Sequence, residues 1–93
     1  PKFELYEQGS QIRRSSKSIK DNIVEGYGRR RYKNEFIKFL TYASALQLEC
    51  MSQLEMISNL YPKLETEKLI TQYDRLGGKL YNFTRFVEKE WKV

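Results

Sequence analysis

Seven apolar side chains fix the character of the last third of this chain. Leu69, Tyr73, Leu76, Leu80, Phe83, Val87 and Trp91 recur in alternating steps of four and three until a last step of four. That spacing returns to one side of an α-helix every two turns, whereas a strand needs alternation by two. The stripe narrows the choice to helix-on-helix packing of the coiled-coil type. Gly77-Gly78 interrupts it, at about 1 kcal/mol per glycine relative to alanine. Gly77 flanks the stripe and allows a close helix crossing; Gly78 points outward with no evident reason.

The middle of the chain carries a longer pattern. Phe36, Phe39, Leu40, Ala43, Leu46, Cys50, Leu54 and Ile57 form one face of a second helix, with Tyr42 and Met51 at its edges. This face covers about half the circumference, wider than the roughly 100° stripe of a surface helix, so it must meet neighbours on more than one side. Ile37 and Leu48 fall outside even this arc and predict self-association. Cys50 lies mid-stripe and reads as a small core residue rather than a reactive thiol. Tyr61-Pro62 ends the helix, because a residue before proline resists helical geometry. Thr66 is placed to cap the next one.

The first third bends around Ser18 to Phe36. Ile12, Ser16, Ile19 and Ile23 share one face of a first helix, Arg13, Lys17 and Lys20 line one flank, and Ser15, Ser18 and Asn22 line the other. Asn22 and Glu25 read as interhelical or cap-supporting groups. Gly26 is expected to stop the helix in a left-handed cap, and the chain to turn through Tyr27-Gly28. Pro1 to Gly9 shows no sustained period and reads as a lead-in. The whole is one all-α domain over 1–93, with helices at about 8–25, 32–60 and 66–92.

Charge is uneven. Of the net +5, residues 1–38 carry ten Lys/Arg against five Asp/Glu, and 39–93 carry seven of each. The excess is concentrated in Arg13, Arg14, Lys17, Lys20, Arg29, Arg30, Arg31 and Lys33. Arginines just before a helix start gain nothing from the helix dipole, which prefers anions there, so they call for an anionic ligand or an acidic neighbour. Tyr27 and Tyr32 interleave with them, which suits a phosphate backbone with stacking on bases; Tyr27 equally suits packing at the corner.

Chemistry is poorly supplied. With no histidine, nucleophilic catalysis lacks its usual base, and one cysteine without histidine leaves little for zinc. Gly26-Tyr27-Gly28 has Arg31 where a dinucleotide fingerprint needs glycine, and no strand precedes it. The expectation is a non-enzyme without cofactor or metal. No apolar run approaches the roughly 20 residues of a membrane span and no signal peptide is evident, so a cytoplasmic setting is expected.

Gln11-Ile12-Arg13-Arg14, Ser18-Ile19, Asn22-Ile23-Val24-Glu25-Gly26-Tyr27-Gly28-Arg29, then Phe36-Ile37-Lys38-Phe39-Leu40, Ala43 and Glu49 resemble the signature of a bacterial family. It is the 23S rRNA-intervening-sequence protein family, encoded within large-subunit ribosomal RNA genes. The match is dense from Ser10 to about Leu54. The chain departs from the usual pattern at Ala45-Leu46-Gln47 and near Met51. The resemblance implies an antiparallel, up-down four-helix bundle. In that family a long helix precedes the residues that correspond to Pro1-Lys2, and Pro1 is not a methionine, so the last three of four helices are expected here. Relatives of this fold include the accessory variability determinant of diversity-generating retroelements, which forms ring-shaped pentamers that associate with a reverse transcriptase and nucleic acid. The implied reading is a homopentamer whose basic surface binds RNA or another nucleic acid. The alternative is a structural adaptor whose basic corner docks an acidic protein partner.

Overall fold

The computed structural model describes residues 2–92, and the side chains of 5–92. Three helices follow one another: α1 over Lys2–Gly28, α2 over Lys33–Leu60 and α3 over Glu67–Glu90. No strand occurs among the described residues. The class is all-α, as the periodicity predicts. Pro1 lies outside the described residues, but the rest of the expected lead-in is the first part of α1. The absence of a clear apolar period there does not prevent a helix that continues a packed one.

Helix α2 lies between the other two and packs against both. That placement accounts for its wide apolar face. Phe36, Leu40, Ala43, Gln47, Cys50, Leu54 and Ile57 are buried along it. Their steps alternate four and three without a break, a stricter heptad than the apolar residues alone displayed. Around them the core adds Ile19 from α1 and Leu80 and Val87 from α3, with Ile23, Ile37, Leu46, Tyr73, Leu76 and Trp91 packed against it. Ile37 thus belongs to the fold, while Leu48 is 65% exposed.

Two glycines set the interhelical distances. Gly26 does not cap α1: it lies within the helix, and no described glycine has positive φ. A Cβ on Gly26 would stand 3.0 Å from Phe39 Cβ and 3.3 Å from Phe36 Cδ1, so the glycine lets α1 and α2 close together near their junction. Gly77 plays the same part in α3. A Cβ there would overlap the Gln47 side-chain amide, at 2.6 Å from Nε2. Gln47 Nε2 donates to the Tyr73 carbonyl at 2.8 Å, which satisfies a polar side chain inside the heptad. The Ser16 and Tyr73 hydroxyls hydrogen-bond across the outer helices. Burial pushes the neighbouring Cys50 thiol up in pKa, against hydrogen bonds involving Ser16, Tyr73 and Ser15 that lower it.

The remaining local expectations divide. Helix α2 ends at Leu60 with Tyr61 as its non-helical C-cap before Pro62, as expected. Thr66 stands at the N-cap of α3, as expected, and its carbonyl accepts from the Ile70 amide at 2.9 Å, but its side chain makes no cap hydrogen bond and its backbone is already helical. Its buried hydroxyl has no partner. Asn22 donates to the Ser18 carbonyl of its own helix, at 2.7 Å, and makes no bond between helices among the described residues.

The assembly is a slab rather than a ball. Its Cα extents are 51 × 20 × 13 Å and its radius of gyration is 15.2 Å, against about 12 Å for a compact chain of this length. Helices α1 and α3 flank α2 and leave a groove between them of about 460 Å³. Ile19, Ile23, Val24, Leu69 and Leu76 give it an apolar lining. The stripe on α3 is correspondingly half used: Leu80 and Val87 are buried, whereas Leu69 is 46% and Phe83 39% exposed.

Candidate nucleic-acid interface

The corner between α1 and α2 is built by the arginines themselves. Tyr27 and Gly28 still belong to α1, and the turn spans 29–32. The Arg29 amide donates to Glu25 O at 3.2 Å and Gly26 O at 3.0 Å, and the Arg30 amide to Tyr27 O at 3.1 Å. The Tyr32 amide closes on Arg29 O at 2.8 Å, and Tyr32, extended at φ −106°, starts α2 without a side-chain cap. Backbone donors at the end of α1 therefore consume its last carbonyls, and no left-handed residue is needed.

The four corner cations have different surroundings. Arg29 is held by carboxylates: its Nη2 lies 2.9 Å from Glu25 Oε1 and its Nη1 3.4 Å from Glu35 Oε1, while its guanidinium sits 5.1 Å from the Phe39 ring centre. Lys38 Nζ completes the network 2.8 Å from Glu35 Oε2. The Lys38 hydrogen bond is the main influence holding the Glu35 carboxyl below its ordinary pKa, with Arg29 adding to it; Glu35 in turn raises Lys38. This exposed network contributes little stability but orients Arg29 inward along the corner. Glu25 thus supports the corner through its side chain as well as its carbonyl.

Arg30 turns the other way. Its guanidinium lies 4.1 Å from the centre of the Tyr27 ring, and Nη1 donates to the Tyr27 carbonyl at 3.0 Å. Tyr27 meets Phe36 edge to face at 6.4 Å, so it packs and carries a cation at once. Arg31 is exposed and Lys33 half-exposed, and neither has an acidic partner among the described residues. Tyr32 is exposed. On α1, Arg13, Lys17 and Lys20 are exposed without ion pairs among the described residues, and Arg14 Nη1 donates to Ser10 Oγ at 3.0 Å. Lys20 and Gly28 are eight residues apart on one helix, about 12 Å along its axis.

Sequence reading missed what the end of α3 brings here. Trp91 Nε1 donates to the Arg30 carbonyl at 3.1 Å and the ring packs edge to face on Phe36 at 5.3 Å. Gly28, Arg30, Arg31, Trp91 and Lys92 then line a recess of about 410 Å³. The heptad marks Trp91 as a packing residue, and it is one, but only the tertiary contact makes Lys92 a neighbour of Arg31. No described helix is long and apolar enough to cross a membrane.

No curated protein and no solved structure matches this chain. The model of one family, described as 23S rRNA-intervening sequence protein, matches residues 1–82 of the 93. That span takes in α1, the arginine turn, α2 and most of α3, so the chain belongs to the 23S rRNA-intervening sequence protein family.

Proposed function

We propose that this protein is a non-enzymatic, oligomeric helical-bundle protein of the cytoplasm that binds RNA or another nucleic acid, largely through phosphate contacts. One observation supports it above the others. Arg13, Lys17, Lys20 and Arg31 are exposed cations and Lys33 a half-exposed one, none with an acidic partner among the described residues, on α1, the turn that follows it and the first residue of α2. A phosphate backbone supplies the missing counter-charge, and neutralising it releases condensed ions. Arg29 serves the corner instead of the ligand.

The apolar groove between α1 and α3 favours completion of an up-down four-helix bundle by a further helix, which would cover Ile19, Ile23, Val24, Leu69 and Leu76. Exposed Leu48 favours self-association, with five copies following from the resemblance to ring-forming relatives.

A filter-binding titration at two salt concentrations tests the RNA reading. Five contacts to a single strand predict roughly a 100-fold loss of affinity between about 50 and 200 mM salt. Replacing Arg13, Lys17 and Lys20 by glutamine weakens binding about equally for all sequences and flattens that dependence. Negligible RNA binding by the unaltered protein, with salt-sensitive capture of an acidic protein, establishes the adaptor reading instead.

A further inference from the structure

The recess at the corner differs from the rest of the basic surface. Three cations from two parts of the chain converge on it: Arg30 and Arg31 from the turn and Lys92 from beyond α3. One wall is Trp91, and the adjoining Tyr27 ring already carries the Arg30 guanidinium. Arg31 and Lys92 form no ion pair among the described residues. The recess is also rigidly framed. Trp91 is fixed at one edge by its bond to the Arg30 carbonyl and is braced by Phe36 and Phe86, at 5.3 and 6.3 Å between ring centres.

A site of this kind suits a ligand that is itself anionic at one end and aromatic at the other. A lone phosphate satisfies the cations and leaves the tryptophan wall unused; an acidic peptide does the same. A volume of about 410 Å³ falls within the range of small-ligand sites, roughly 300–1,000 Å³. A nucleotide within a duplex presents its phosphates but keeps its base stacked inside the helix, whereas an unpaired nucleotide offers both. We infer that this recess takes one unpaired nucleotide of a single strand, with its phosphate on Arg30, Arg31 and Lys92 and its base against Trp91. The inference rests on the RNA-binding reading and deepens it, giving a surface otherwise indifferent to sequence a preference for single-stranded segments.

Trp91 is the only tryptophan of the chain, so its emission reports on this recess alone. The experiment titrates the protein at low salt with end-labelled oligouridylate, with an RNA duplex of equal length, and with oligoglutamate. Label anisotropy follows RNA binding and tryptophan emission follows the recess. Oligouridylate is expected to quench Trp91 in step with binding, while the duplex binds with little quenching and oligoglutamate leaves emission unchanged. The exposed pair Arg31→Gln/Lys92→Gln should lower oligouridylate affinity roughly 10-fold while changing duplex affinity much less, with helix content by circular dichroism intact. Binding of oligouridylate without quenching, equal weakening of single strand and duplex, or equal quenching by oligoglutamate overturns the nucleotide site and leaves general RNA binding standing. Absence of any RNA binding by anisotropy overturns both.

Discussion

At the scale of single residues, three glycines separate backbone cost from packing need. Gly78 has no heavy atom within 4 Å of where a Cβ would stand, so it carries only the helix penalty. Gly78→Ala should stabilise by about 1 kcal/mol, read as a rise in Tm of roughly 4–8 °C. Gly26 faces Phe39 Cβ, an atom too close to its backbone to swing aside. There overpacking exceeds the propensity gain, and Gly26→Val should destabilise by about 2 kcal/mol or more in a thermal melt. Gly77 and Gln47 form a coupled pair. Gly77→Ala forces the buried amide away from the Tyr73 carbonyl and should be destabilising; in a Gln47→Ala background the same change should become neutral or stabilising. A double-mutant cycle by denaturant unfolding measures the difference, and additive effects would refute the coupling.

Among the elements, the start of α2 is the hub. Phe36 is 1% exposed and meets Tyr27 of α1, Phe83 of α3 and Trp91 beyond it, at 6.4, 5.8 and 5.3 Å between ring centres. One ring thus joins the arginine turn to the far end of the chain. Phe36→Ala removes that contact set and should cost about 3–5 kcal/mol, measurable as a collapse of the unfolding midpoint in urea. The consequence reaches function: without Phe36 the brace on Trp91 fails, and the recess beside Arg31 and Lys92 loses its wall. The stability of α3 is uneven by contrast. Its Leu80 and Val87 are buried while Leu69 and Phe83 remain partly open, so it holds to the bundle by alternate positions of its stripe.

For the whole molecule, the governing fact is shape. Three helices with α2 in the middle form a slab that cannot close around a core on every side, and the groove between α1 and α3 is the result. Leu48 lies exposed on α2, where a charge should alter the folded chain by no more than about 0.5 kcal/mol. Leu48→Glu should therefore leave the thermal melt of a single subunit unchanged while lowering the solution mass measured by sedimentation. A wild-type monomer at micromolar concentration would sink the proposed assembly.

The sequence by itself determined the class, the number of helices within these residues and the ends of α2, because each rests on local physics. Heptad spacing demands helix, and Pro62 forbids its continuation. It also located the cations, since exposed charge needs no partner to be read. The residues did not reveal that Gly26 was a point of contact, because a glycine that caps and a glycine that admits a phenylalanine are identical in one chain. Nor did they mark Gln47 as core, because its burial depends on the Tyr73 carbonyl arriving from another helix. Arg29 and Arg31 were indistinguishable until Glu25 and Glu35 closed on one of them. Lys92 joined the corner only when Trp91 bonded the Arg30 carbonyl 61 positions away. Those features depend on which surfaces come together, and only the tertiary structure decides that.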